Sequence, residues 1–237
     1  PEWNSHVLGD IQPTSPITLY LPGKKIELEP GDETALFAKI FDDTETLLGL
    51  HRFSWLQYVG DTFDPAWLSV IWDNWLKNYA MPDNTWAWHP YTVAERAINL
   101  LKFSRQYGLP GNPTETLSCL ADHSTAIAAK LEFFGDHHTS NHLANNGRGI
   151  YLIGLWLQMP VAAELGCKIL IEESKRIFHP SGMLREGSSH YQLLLAHNYA
   201  ETAREAEKFA RDKAGELRAI SDKARKAAGH LILGGGL

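Results

Sequence analysis

The sequence predicts an all-α protein made of antiparallel helix pairs, a complete or incomplete α/α toroid. Three observations predict it. Between about residue 60 and residue 200, apolar residues recur at the three-four spacing of a single helix face. Gly and Pro stand between these segments, where helices start and stop. No strand-like run interrupts the middle of the chain, and no fixed-period repeat marks a solenoid. Helix, short turn, helix, repeated, is the pattern of stacked antiparallel pairs.

The elements follow in order. Residues 1–31 are rich in Pro and Gly. Ile17, Leu19 and Leu21 alternate, Pro22 to Lys25 makes a turn, and Ile26 and Leu28 alternate again, so this segment reads as a hairpin or extended arm. From Glu33 the pattern turns helical, with Leu36, Phe37, Ile40 and Phe41 on one face. Asp64-Pro65 opens a helix carrying Trp67, Val70, Ile71, Trp75 and Tyr79, which Pro82 and Asp83 end. A second follows Pro90, with Val93, Ala94, Ala97, Ile98 and Leu101, and closes at Gly108 and Pro110. Asn112-Pro113 opens a third, through Leu117, Leu120, Ile127, Leu131 and Phe134 to Gly135. The polar stretch Asp136 to Gly149 enters a helix that runs to about Met159. Pro160 starts the next, to Ile177, and Pro180-Ser181-Gly182 is a turn. A last clear helix begins near Ser189 and passes Tyr199. Residues 32–237 thus read as one helical domain. Its end, 201–237, is the least defined: residues 201–228 are mostly Ala, Glu, Lys and Arg, and all eight tryptophans lie before residue 157. The final run, Leu231 to Leu237, lacks a natural domain ending, so a longer chain is expected.

Bulk composition narrows the function. With 237 residues, 44% hydrophobic and 21% charged, the chain can bury one sizeable core. A net charge of −6 and the lack of a long basic run argue against general nucleic-acid binding. They leave room for a local basic cleft that takes an acidic glycan. Cys119 and Cys167 stand alone in helical contexts, so neither a disulfide framework nor a zinc site is expected, and the compartment stays open. No apolar run approaches the roughly 18 to 20 residues of a membrane span. No signal peptide is visible, but the chain begins abruptly at Pro1, and a processed or trimmed start would look the same.

Three stretches carry candidate chemistry. Asp136 to Gly149 holds three histidines, three asparagines and one arginine just before an apolar run. Such a crowd of polar groups is either a working surface or a helix-capping network. Asn141, Asn145 and Arg148 share a face at helical spacing, and amide and guanidinium donors suit a carboxylate. His138 and His142, four apart, have metal-ligand spacing. The glutamate of the zinc-protease helix motif and a third ligand are lacking, so no metal or other cofactor is expected. The second stretch, Gly182 to Tyr191, is a glycine-serine loop with Glu186, leading into a helix whose first turn carries His190 and Tyr191. A helix N-terminus favours anions, and a tyrosine there can act as a base. It also fits an ordinary capped helix start. The third is Trp86-Ala87-Trp88-His89-Pro90-Tyr91, with Arg96 and Asn99 beyond. Its aromatics can stack on sugars or simply fill a core. Arg96, among apolar neighbours, needs an acidic partner or a ligand.

In this order, Trp88-His89-Pro90-Tyr91 with Arg96 and Asn99, then Asn141-His142-Leu143, then Glu186-Gly187-Ser188 with His190-Tyr191, the chain resembles the heparinase II/III family of polysaccharide lyases and its alginate-lyase relatives. The resemblance covers roughly residues 60 to 200. It implies an N-terminal α/α toroid whose partner β-sandwich is absent from these residues, and it favours the periplasm or cell envelope. It also implies β-elimination on a uronic acid. Asn141, aided by His142, would neutralise the substrate carboxylate, and Tyr191 would do base or acid work. His89, Tyr91, Arg96, Arg148, Glu186, His190 and Trp88 would hold an acidic polysaccharide or oligosaccharide. The family's catalytic histidine from the sandwich has no counterpart here. Two other readings compete. One is a glycoside hydrolase, for which Glu186 and Asp136 are the only carboxylates to nominate. The other is a non-catalytic glycan-binding helical module.

Overall fold

A computed structural model describes Leu8 and residues 11–60, 62–135 and 140–231. It is all-α apart from one two-stranded sheet. The chain forms two compact units, one up to Ile127 and one from Ala128 onward. Among the described residues, no helix is long and apolar enough to cross a membrane.

In the first unit, strands β1 (Ile17–Leu21) and β2 (Lys24–Leu28) pair antiparallel, with Ile17 opposite Leu28 and Leu21 opposite Lys24. Gly23, at φ +71°, makes the tight reversal that other residues adopt only with strain. Leu19 and Leu28 are buried, and the Trp67 indole donates to the Ser15 carbonyl at 2.9 Å, tying this segment to the helices. The helix expected through Phe41 is a single turn, α1 (Glu33–Leu36), and Ile40 is 92% exposed. The reason lies just downstream. Asp43 accepts from the Thr46 amide and caps a new helix, α2 (Thr44–His51), so the chain must leave the helical path before it. Helices α3 (Ala66–Tyr79), α4 (Pro90–Tyr107) and α5 (Pro113–Ala129) start where their Asp-Pro, His-Pro and Asn-Pro signals place them. Their core is aromatic: Trp55, Trp67, Trp72 and Trp75 are each at most 1% exposed, and Trp72 stacks on Trp75 at 5.1 Å.

Helix α5 ends earlier than the apolar spacing predicts. Leu131 to Gly135 are irregular, because the Glu132 amide donates to the Asn146 side chain at 2.9 Å instead of continuing the helical ladder.

The second unit contains α6 (Asn141–Trp156), α7 (Pro160–Ile177), α8 (Ser189–Lys208) and α9 (Ala214–Ala228). Helices α6 and α7 form an antiparallel hairpin packed backbone to backbone. A Cβ on Gly154 would overlap the Ala163 backbone, and one on Gly166 the Tyr151 backbone. Helices α8 and α9 form a second hairpin: the Gln192 amide reaches the Ala224 carbonyl, and Arg218 pairs with Glu207. The alanine-rich composition after residue 201 reflects this packing, with Ala203, Ala206 and Ala224 fully buried. Across the hairpins, Arg148 pairs with Glu201 and the Trp156 indole with Glu205, so later residues of α6 meet later residues of α8. These two helices therefore run parallel. The N-termini of α6 and α8 and the C-termini of α7 and α9 share one end of the unit.

Candidate active site

The head of α6 is built around a residue the sequence reading passed over. Ser140 caps the helix by accepting from the His142 amide at 3.4 Å. Glu132, only 7% exposed, places one carboxylate oxygen 2.6 Å from His142 Nδ1 and accepts from Asn146 Nδ2 on the other at 2.9 Å. Asn146 accepts in return from the Glu132 amide. An ionised carboxylate only accepts, so Nδ1–H donates to it and the ring is held with Nε2 as its second nitrogen. His142 itself is half-exposed. The signal that could have found Glu132 is an acidic residue between Leu131 and Phe133, where an apolar helix face would not carry one.

Asn141 and Asn145 are buried at 8% and 4% exposure. Neither Oδ1 nor Nδ2 of Asn145 has a hydrogen-bond partner among the described residues. A buried amide left so is costly unless something else meets it, and Asn145 shares its helix face with Asn141. Arg148, further along that face, is 4% exposed and donates to Glu201 at 2.7 Å, while His197 Nε2 lies 3.4 Å from the same carboxylate. Asp136, His137 and His138 lie outside the described residues. Among the described residues, no His, Cys, Asp and Glu group could hold a metal ion.

The head of α8 carries the second stretch. Ser188 accepts from the Tyr191 amide at 3.3 Å, so the Tyr191 side chain leaves the first turn, 36% exposed. The His190 and Tyr191 rings sit 5.4 Å apart, and Glu186 and His190 are exposed. Because α6 and α8 run parallel, Asn141, His142 and Tyr191 lie at the same end. Counted from the Arg148–Glu201 pair at 1.5 Å per residue, Asn141 is about 10 Å and Tyr191 about 15 Å toward it.

The third stretch belongs to the first unit, and there two assignments change. Trp88 is 2% exposed, and its indole donates to the Tyr79 carbonyl, so it is core and not a sugar platform. The exposed tryptophan is its neighbour Trp86, 48% exposed and 5.3 Å from the His89 ring. Arg96 is fully buried, and among the described residues it meets no acid. It donates to the His51 and Ala87 carbonyls and to His123 Nε2 at 2.8 Å, with its guanidinium 4.1 Å from the Trp75 ring. Carbonyl dipoles, an imidazole and aromatic faces surround the charge, while Nη2 has no hydrogen-bond partner among the described residues. Burial draws the guanidinium down to about 9, still charged at neutral pH. His123 Nδ1 lies 2.6 Å from the Cys119 carbonyl, so the ring donates there and accepts from Arg96, which requires it to be neutral. Burial first, then the Arg96 charge, holds His123 well below its usual value and His51 at about 4. Tyr91 is partly exposed beneath the Arg52 guanidinium at 5.0 Å, and Asn99 donates to the Arg52 carbonyl.

No family model and no curated protein matches the sequence. Solved structures do. The heparan sulfate lyase HepC from Pedobacter heparinus is similar with a TM-score of 0.62 and 19% identity, over 81% of this chain and 33% of that one. A mutant of that lyase gives a TM-score of 0.62 at 18% identity. A heparinase III gene product gives 0.58 at 18% identity, over 79% of this chain and 35% of that one. The chain spans about a third of the length of the lyases it matches. Identity this low speaks for the fold alone, and by fold the chain is a heparinase-like helical domain.

Proposed function

We propose that this chain is the helical part of a polysaccharide lyase that cleaves a uronate-containing acidic glycan by β-elimination. The observation that carries the reading is the Glu132–His142–Asn146 ring at the head of α6, beside Asn141 and at the same end as Tyr191. In such a reaction the C5–H bond breaks, the C4–C5 double bond forms, and the C4–O4 bond breaks. Negative charge builds on the uronate carboxylate as the proton leaves. The Asn141 amide supplies a donor to that charge, aided by His142 when its ring, held at Nδ1 by Glu132, carries a second proton on Nε2. Tyr191 protonates the departing O4 oxygen. The C5 proton goes to Tyr191 as phenolate, or to a histidine from the further domain that the resemblance implies. Within the unit up to Ile127, Trp86, His89 and Tyr91 offer aromatic surface on which a sugar ring could stack.

The solved relatives named for heparan sulfate make that polymer the first substrate to try. The full-length protein should generate a conjugated unsaturated uronate, read as rising ultraviolet absorbance. Asn141→Ala or Tyr191→Phe should cut that rate by about a hundredfold or more. New reducing ends without the absorbance would replace elimination by hydrolysis. Glycan binding without turnover, unchanged in Tyr191→Phe, would make the chain a binding module.

A further inference from the structure

A groove of about 300 Å³ opens beside the turn between α7 and α8, lined among others by Lys175, His179, Arg185 and Lys223, with Phe178 and Ile220 as apolar wall. We propose that it is an anion subsite, taking a sulfate or carboxylate group of the glycan next to the candidate active site. The naming of a glycan rests on the lyase reading above; the oxyanion chemistry rests on the groove itself.

Charge is the first argument. Three lining residues, Lys175, Arg185 and Lys223, are positively charged and none is acidic, in a protein whose net charge is −6. Lys175 contacts Glu172 at 2.7 Å, an exposed pair of little strength. Arg185 and Lys223 take part in no ion pair among the described residues. An arginine only donates, so the 3.2 Å contact from Arg185 Nη1 makes His179 Nδ1 the acceptor and puts the imidazole proton on Nε2, a further donor. The C-termini of α7 and α9 end nearby and carry about half a negative charge each. That opposes an anion, but it is smaller than the full charges of Arg185 and Lys223 with Lys175 beside them.

Rigidity is the second argument. The turn from Ile177 to Arg185 is a β-like hairpin: His179 and Met183 are joined at 2.8 Å, the Arg185 amide donates to Ile177 at 2.8 Å, and Phe178 bridges Leu184. Gly182, at φ +91°, lies so close to the Lys223 carbonyl that a Cβ would not fit. Gln192, 1% exposed, then locks the hairpin. It accepts from the Leu184 amide and donates to the Gly182 carbonyl on one side and the Ala224 carbonyl of α9 on the other. The cationic groups therefore project from a fixed frame, which lowers the ordering cost of binding. Position is the third argument. The groove sits at the C-terminal half of α7 and of α9, the end that also carries Asn141 and Tyr191, and Arg185 is six residues from Tyr191.

The test is calorimetric binding of a heparan sulfate oligosaccharide and its desulfated counterpart to the full-length protein. Arg185→Ala with Lys223→Ala removes the two unpaired charges. Arg225→Ala with Lys226→Ala removes two exposed charges of α9 outside the groove. The groove variant should bind the sulfated oligosaccharide about tenfold more weakly, while the control variant changes little. If the desulfated oligosaccharide keeps its affinity, the group held is a sulfate; if both weaken together, it is a carboxylate. Wild-type affinity in the groove variant, with its thermal melt intact, overturns the proposal. So does an equal loss in the control variant, which would reduce the effect to overall charge. Failure of the lyase reading would appear elsewhere, as absent ultraviolet absorbance from a wild type whose binding still depends on Arg185 and Lys223.

Discussion

A carboxylate buried in an irregular segment is stable only if its lone pairs are used, and Glu132 gives both oxygens to residues of α6. This turns a loop residue into the positioning group of His142. Glu132→Gln keeps the shape but puts an amide N–H, a donor, opposite Nδ1. The ring must then accept there and carry its proton on Nε2. The expected result is a tautomer change in the 15N spectrum of the His142 imidazole, with kcat of the proposed elimination lowered about tenfold to a hundredfold at nearly constant KM. An unchanged tautomer with full kcat would leave Glu132 a purely structural residue. The same scale shows where sequence reasoning reaches. Ser140 and Ser188 announce the helix heads that carry Asn141, His142 and Tyr191, because caps are local chemistry. Glu132 meets partners ten and fourteen residues away, across residues with no periodic pattern, so spacing could not reveal it. The acid expected beside Arg96 is missing among the described residues for a related reason. A buried cation suggests a counter-ion, whereas its real partners are carbonyls, His123 and the ring of Trp75, none of which a charge pattern displays.

Between elements, the closeness of α6 and α7 sets how firmly the head of α6 is held. Gly166 is a tight point of that hairpin: a Cβ there meets the Tyr151 backbone and the Gly147 carbonyl, which cannot swing aside as a side chain can. Alanine is favoured over glycine by about 1 kcal/mol in a helix interior. Overpacking against backbone costs about 3 kcal/mol, so Gly166→Ala should destabilise by about 2 kcal/mol, read in chemical denaturation of the chain. Gly215, in the first turn of α9 with nothing within 4 Å of its added Cβ, is the matched control and should be neutral or slightly stabilised by alanine. A stabilised Gly166→Ala would mean that the two helices slide apart at little cost. Such contacts explain which elements were legible. Pro90, Pro113 and Pro160 mark helix starts directly. Helix α2 was hidden because its first turn is polar and its cap, Asp43, follows another aspartate. Helix α9 was hidden because small residues packed closely look like a surface composition.

At the scale of the molecule, the two units respond to pH in opposite directions through their buried groups. Up to Ile127 these are His51 and His123, both held below their usual value by burial and by the Arg96 charge, His51 at about 4. The unfolded chain then binds more protons than the folded one as pH drops below about 6.5. The stability these histidines contribute is present above that pH and lost as it falls toward 4. From Ala128 onward the group is Glu173, 2% exposed, which burial raises to about 7 although Arg176 pulls the other way at 2.8 Å. Here the folded state keeps its proton longer. That contribution is complete below about 4.5 and lost as pH rises through about 7, a difference on the order of 3 kcal/mol. Hydrogen exchange, corrected for intrinsic rates, should therefore show α3 and α4 losing protection between about pH 6.5 and 4.5, while α7 and α8 hold or gain it. Glu173→Gln mimics the protonated form, and Arg176 keeps its bond to the Gly135 carbonyl and its place over Phe133. The variant should raise protection in α7 and α8 at about pH 8 and change nothing near pH 4. A loss of protection at pH 8 would mean that the Arg176 ion pair outweighs the burial cost, reversing the sign assigned to Glu173.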